Sequence, residues 1–223
     1  MATTQEQILQ YLRHYTPRAH FEDAIDAIFV GFKKAFDEAN ALVHTPKERK
    51  RAQDRYSYVQ ENLAALVSSW NAIVTSTAPH GEFYTLMSSG NIKITAAVKP
   101  WKKKIRPAQY RLKNSRLNSF LSSPQLELLG RPEGQPVSTG EMLNAIIIPL
   151  APPSHQDQSK PLDIILAVPY FNSCAEYHVW CTLSDFLKGY ESMTSAAPDL
   201  GWPTIKRKMR DDEDASSSDE APE

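Results

Sequence analysis

The sequence predicts an α+β protein: an N-terminal helical hairpin packed on a small, mostly antiparallel sheet, followed by a disordered C-terminal tail. Three observations predict it. Apolar residues recur at steps of three and four through the first third of the chain. Short runs rich in isoleucine, leucine and valine come next, bounded by prolines and turn residues. The final stretch is densely charged and poor in apolar residues, a composition that cannot bury enough surface to order a chain. The 223 residues divide accordingly into a helical region, 1–78, a mixed β/α region, 79–197, and a basic-then-acidic tail, 198–223.

A short helix over about residues 5–15 comes first, with Ile8, Leu9 and Leu12 on its apolar side. Residues 21–43 form an amphipathic helix. Phe21, Ile25, Ile28, Phe32, Ala35 and Ala39 make its stripe, Phe29 and Phe36 widen it, and charged residues fill the other positions. Thr45 and Pro46 supply an N-cap and a first-turn proline for the next helix, and Glu48 completes a capping box. Tyr56, Val59, Leu63, Leu66, Trp70 and Ile73 share one face, which carries this helix to about residue 73. The short break between the two long helices makes an antiparallel hairpin. Its aromatic stripe reads as core packing; a groove for a partner helix, or a homo-oligomer contact, is the alternative.

In the second region, residues 88–91 form a turn between two strands, and in the second of these Ile92, Ile94 and Ala96 alternate with Lys93 and Thr95. Residues 142–148 and 162–168 read as buried strands ending at prolines. Residues 131–140 and 151–161 read as exposed connectors. Residues 176–183 form a further strand, with Tyr177, Val179 and Cys181 opposed to His178, Trp180 and Thr182. Ser184 and Asp185 cap a short helix to Tyr190.

Composition excludes several classes. A hydrophobic fraction of 41% supports a core, and two cysteines, Cys174 and Cys181, are too few for a disulfide scaffold. The polar N-terminus lacks the pattern of a secretory signal, and no apolar run approaches the ~18 residues that span a bilayer. An intracellular setting, nucleus or cytoplasm, is expected. There is no phosphate-binding loop and no nucleophile elbow, and the carboxylates do not pair. A non-enzymatic protein without cofactor is expected, with no catalytic residue assigned. Cys174, His178 and Cys181 have zinc-ligand types at unfamiliar spacing, so core cysteines are the reading, and metal binding is not expected. A nucleophilic pair of Cys174 with His155 or His178 finds no support in the spacing.

The strongest functional signal is charge sorted by position. The whole chain carries a net charge of −1, yet residues 83–126 hold no acidic residue and nine basic ones: Lys93, Lys99, Lys102, Lys103, Lys104, Arg106, Arg111, Lys113 and Arg116. A surface of one sign attracts a polyanion. Trp101 and Tyr110 are interleaved as candidate base-stacking groups. Pro100 and Pro107 argue against a continuous recognition helix, so an extended arm tracking phosphates is expected, with RNA or single strands favoured over sequence-specific duplex DNA. An acidic protein partner, an anionic membrane surface and plain solvation are the alternatives. In size and charge layout the chain is similar to small virus-encoded coat, matrix, movement or nucleocapsid proteins. No motif carries that similarity, which implies a structural or accessory role.

The tail adds Lys206, Arg207, Lys208 and Arg210, a candidate nuclear-import cluster, directly before four acidic residues. Ser216 and Ser217 each have an acidic residue three positions on, a candidate phosphorylation pattern. An acidic tail can compete with nucleic acid for the basic segment; a merely solubilising tail cannot. Removing residues 211–223 is expected to tighten RNA binding at low salt, read by filter binding, whereas a solubilising tail leaves the affinity unchanged.

Overall fold

The computed structural model describes residues 4–77, 81–122 and 142–195. Helices α1 (Thr4–Tyr15), α2 (Arg18–Ala41), α3 (Lys47–Ala64) and α4 (Val67–Trp70) come first. Strands β1 (Ile73–Ser76), β2 (Phe83–Ser89), β3 (Ile92–Ala96) and β4 (Lys99–Pro100) follow. Then come α5 (Gln109–Ser115), a 3-10 turn (Arg116–Ser122), β5 (Leu143–Ala151), β6 (Asp163–Pro169), β7 (Tyr177–Thr182) and α6 (Leu183–Ser195). The class is α+β, with a seven-stranded mixed sheet of order β1-β2-β3-β5-β6-β7 and β4 beside β5.

The α2–α3 hairpin forms where the apolar periodicity places it. Gly31 lets the two backbones touch: a Cβ there would lie 2.9 Å from the Val59 nitrogen. Asn62 Nδ2 donates to the Ala27 carbonyl at 3.2 Å. Three local expectations are corrected. Phe29 is exposed and leaves the stripe, because Ala24, Ala27 and Gly31 close the packed face. No side-chain cap bond starts α3, whose N-cap residue is Pro46, so Thr45 and Glu48 form no capping box. And α3 stops at Ala64; after α4, Asn71 takes a left-handed conformation (φ 45°) that turns the chain into β1. Asparagine tolerates that region, and Ile73 thereby begins a strand.

The β2–β3 hairpin turns at Gly90 (φ 53°), where a glycine is free to adopt positive φ. β5 and β6 pair antiparallel, and β5 runs through Pro149 to Ala151. At α6 the cap is Thr182, whose Oγ1 accepts from the Asp185 amide at 3.0 Å and donates to the Asp185 carboxylate at 2.8 Å. That replaces the expected Ser184 start.

Two apolar clusters sandwich the sheet. The larger joins α1, α2, α3, Trp70 and α6 to one sheet face through Met87, Ile92, Ile94, Ile147 and Leu166. The smaller covers the other face with Ala97, Ile105, Ile146, Ile148, Ile165 and Ala167. The polar anchor between helix and sheet is Gln60 of α3, fully buried. The β2–β3 register ends at the Leu86–Thr95 pair. Beyond it Gln60 Oε1 accepts from the Thr85 amide at 2.8 Å, and Nε2 donates to the Ala96 carbonyl at 3.2 Å. One side chain stands in for the missing rung of the ladder. Gln60→Leu is expected to orphan both backbone groups and lower stability by about 3 kcal/mol, at ~1–3 kcal/mol for each buried unsatisfied group. The check is a lowered urea midpoint at unchanged m-value.

Candidate nucleic-acid interface

β3 and β5 run parallel, with Ile94 opposite Ala145. Parallel neighbours cannot be joined by a hairpin, so the chain between them must cross one face of the sheet. The basic segment is part of that crossing. Lys99 and Pro100 continue alongside β5, and the Trp101 amide donates to the Ala151 carbonyl at 3.1 Å. Ile105 then plugs the smaller cluster on the face opposite the N-terminal helices. The expected extended arm is half helical: both prolines lie before α5, leaving residues 109–122 free to coil. Asn118 fastens its far end. Its Nδ2 donates to the carbonyls of Asn144 (3.0 Å) and Pro169 (2.7 Å), and its Oδ1 accepts from the Asn144 amide at 2.7 Å.

The nine basic residues take different places. Lys102, Lys103, Lys104, Arg106, Lys113 and Arg116 are exposed, and Arg116 donates to Asn172 Oδ1 at 3.2 Å. Lys93 is half-buried in β3, between Ser88 and Asn144 on the neighbouring strands. Arg111 is buried, with its guanidinium bonded to the Arg106 carbonyl and 4.9 Å from the Tyr110 ring. Tyr110 is turned inwards as well. It stacks on Tyr84 of β2 with ring centroids 4.1 Å apart at 12°, so that face is taken. Trp101 is exposed, and Lys102 Nζ sits 4.5 Å above its ring.

Four lysines converge. Lys99, Lys102, Lys103 and Lys104 line one wall of a cleft of about 360 Å³ between the crossing segment and β7. Tyr177 and Trp180 of β7, with Cys174, line the other. Lys99 is half-buried; its Nζ donates to the Lys103 carbonyl at 2.7 Å, and burial holds its pKa below the ordinary lysine value. Among the described residues none of the nine basic side chains makes an ion pair with a carboxylate. Arg111 acts electrostatically on Tyr177, partly offsetting the rise in its pKa that burial causes. A concave, uncompensated cationic wall concentrates anions.

Trp180 was not legible as a site residue, because strict alternation sets it opposite Tyr177. A β-bulge changes the parity. Val168 pairs with Val179 and Pro169 with Tyr177, which leaves His178 as the extra residue. Tyr177 and Trp180, three apart, therefore share a face, with ring centroids 4.9 Å apart at 54°. His178 packs its ring 3.9 Å from that of Tyr170, and burial lowers its pKa.

Cys174 lines the cleft, whereas Cys181 packs against the larger cluster on the other face, so the Cys174, His178, Cys181 trio is not assembled. Among the described residues no group of three or more histidines, cysteines or carboxylates could hold a metal ion. Also among these residues, no helix is long and apolar enough to cross a membrane. The candidate import residues Lys206, Arg207, Lys208 and Arg210, the serines Ser216 and Ser217, and the connector 131–140 lie outside the described residues.

No protein-family model, curated protein or solved structure matches this chain. Both cysteines are free thiols, and burial pushes the Cys181 thiol up to about 11. In a Cys174→Ser variant, Cys181 is expected to react with a disulfide reagent at pH 8 on the order of a hundredfold more slowly than free cysteine, because so little of it is thiolate. Urea should abolish the difference, and the absorbance time course reads both.

Proposed function

We propose that the protein binds nucleic acid without catalysing a reaction on it, RNA or single strands in preference to a sequence-specific duplex. The lysine cleft is the contact surface. The observation that carries this reading is the convergence of Lys99, Lys102, Lys103 and Lys104 on one concavity with no carboxylate paired to them among the described residues. Lysines that release counterions from a phosphate backbone give affinity without sequence readout. Arg106, Lys113 and Arg116, exposed along the same crossing segment, extend the electrostatic footprint beyond the cleft. Free thiols support an intracellular setting, nucleus or cytoplasm.

A flexible phosphate chain suits this surface better than a rigid duplex. α5 is short, Arg111 and Ser115 are buried, and Tyr110 ties it to β2 by stacking on Tyr84, so it cannot enter a groove as a reading helix. The lysines instead sit on a loop beside exposed aromatic rings, the combination that single-strand binders use.

Changing Lys102, Lys103 and Lys104 together to glutamate is expected to weaken RNA binding and to flatten its salt dependence. With ~0.7 counterions released per single-strand phosphate, the slope of log K against log salt becomes shallower by about 2. Filter binding over a salt series measures it. RNA affinity unchanged in the triple variant, or a wild-type protein that binds phosphatidylserine vesicles and ignores RNA, would overturn the proposal.

A further inference from the structure

We propose that the cleft is a subsite for one unpaired nucleotide, with its base stacked on Trp180 and its flanking phosphates held by Lys99 and by Lys102–Lys104. The inference rests on the nucleic-acid reading above and deepens it by assigning the specificity-determining residue. Neither Tyr110, whose ring is stacked on Tyr84, nor Trp101, which lies outside the cleft, fills that role.

Trp180 is 44% exposed although it is a large apolar ring in a strand. Its neighbours in the same sheet row, Ala167 and Ile146, are covered by the crossing segment, and Trp180 is the point where that cover ends. The bulge at His178 puts Tyr177 behind it, 4.9 Å away and tilted, so the indole is buttressed rather than free to swing. Tyr177 is itself fixed, because its hydroxyl donates to the Cys174 carbonyl at 2.8 Å. Bulges beside functional sites re-aim side chains in this way.

The charged and flat parts of the cleft are adjacent. Lys99 Nζ lies over the Trp180 ring, 5.7 Å from its centroid, so a stacking base takes that ammonium's place on the ring and the base's phosphate keeps the ammonium beside the indole. A nucleotide offers those two features, an anion and an aromatic plane, in one unit. Inorganic polyanions and runs of aspartate and glutamate offer the first alone. A base inside a duplex has both faces covered by its neighbours and cannot reach a ring set in a concave wall, whereas unpaired bases stack on aromatic side chains. The volume, about 360 Å³, lies at the small end of the range of ligand sites, ~300–1,000 Å³.

The test uses the full chain and three probes: a labelled oligouridylate, an RNA duplex of equal length, and inorganic polyphosphate as a competitor without bases. Trp180→Ala is expected to weaken oligouridylate binding roughly fivefold to a hundredfold, the range for one lost stack. The duplex and polyphosphate should bind it as they bind wild type. Trp180→Phe keeps an aromatic face and most of the affinity, which guards against a folding defect. As an independent readout, oligouridylate should quench tryptophan fluorescence in Trp101→Phe and fail to do so in Trp180→Phe. Equal losses for oligouridylate and polyphosphate in Trp180→Ala, or no loss for either, overturn the nucleotide subsite and leave the polyanion reading standing. A wild type that binds polyphosphate and no RNA overturns both.

Discussion

The middle of the sheet cannot meet water on either side, and most of the architecture follows from that constraint. β5 is buried along its whole length except at Leu150. Leu143, Ala145 and Ile147 face the helices, and Ile146 and Ile148 face the opposite way. A strand apolar on both faces needs two covers. The helical layer supplies one. The parallel pairing of β3 with β5 supplies the other, because it drags the intervening chain across the second face. The crossing part of the segment without acidic residues, 97–122, is therefore a structural cover first. Its apolar residue Ile105 points down into the smaller cluster, and its lysines are left on the outside.

The same architecture explains two buried amides. Strands that diverge leave backbone groups without partners, and such groups are costly in a dry interior. Gln60 fills the gap between β2 and β3 from the helical side. Asn118 fills the gap between β5 and β6 by reaching from the 3-10 turn. Each ties a covering layer to the sheet by satisfying what the ladder lacks. The cationic segment is thus held at both ends, by β4 pairing and by Asn118, so its cleft is set in advance of any ligand.

Much of the helical half was legible, because periodicity and burial share one cause. Phe21, Ile28, Phe32, Val59 and Leu63 are core for the reason that their spacing implies. The β2–β3 turn and the strands β5, β6 and β7 were legible for similar reasons, from turn residues and apolar runs. What escaped depends on parity or on partners distant in sequence. One residue in positive φ, Asn71, converted the end of a helix into β1. One extra residue, His178, moved Trp180 to the face of Tyr177. Neither leaves a mark in composition. Parallel pairing is likewise invisible in β3 and β5 taken singly, yet it decides which face the lysines occupy. The charge sorting was legible in full, but the inward turn of Tyr110 and Arg111 was not, since both residue types serve surface and interior alike.

Arg55, Arg111 and Lys99 are partly or wholly buried cations that make no ion pair with a carboxylate among the described residues, and they differ in how their charge is met. Arg55 gives its guanidinium to the backbone and side-chain oxygens of Gln158 at 2.7 and 2.9 Å and lies 5.0 Å from the Phe32 ring. Burial, then Arg51, lowers its pKa to about 10. Its charge is spread over carbonyl dipoles and a π face, and it pins the 151–161 connector to the helices. Arg111 does the same for the crossing segment through the Arg106 carbonyl and Tyr110. Both are buried, and in each the Nε has no partner among the described residues. Lys99 differs in its approach. Its one hydrogen bond among the described residues leaves ammonium protons over, and it faces a cleft shared with three more lysines. Partial desolvation of that ammonium raises the free energy of the empty cleft, and an incoming anion relieves it. Neither burial nor a donor left over therefore singles out a cation for the proposed contact. An open approach does, and of these three Lys99 is the one that lines the cleft.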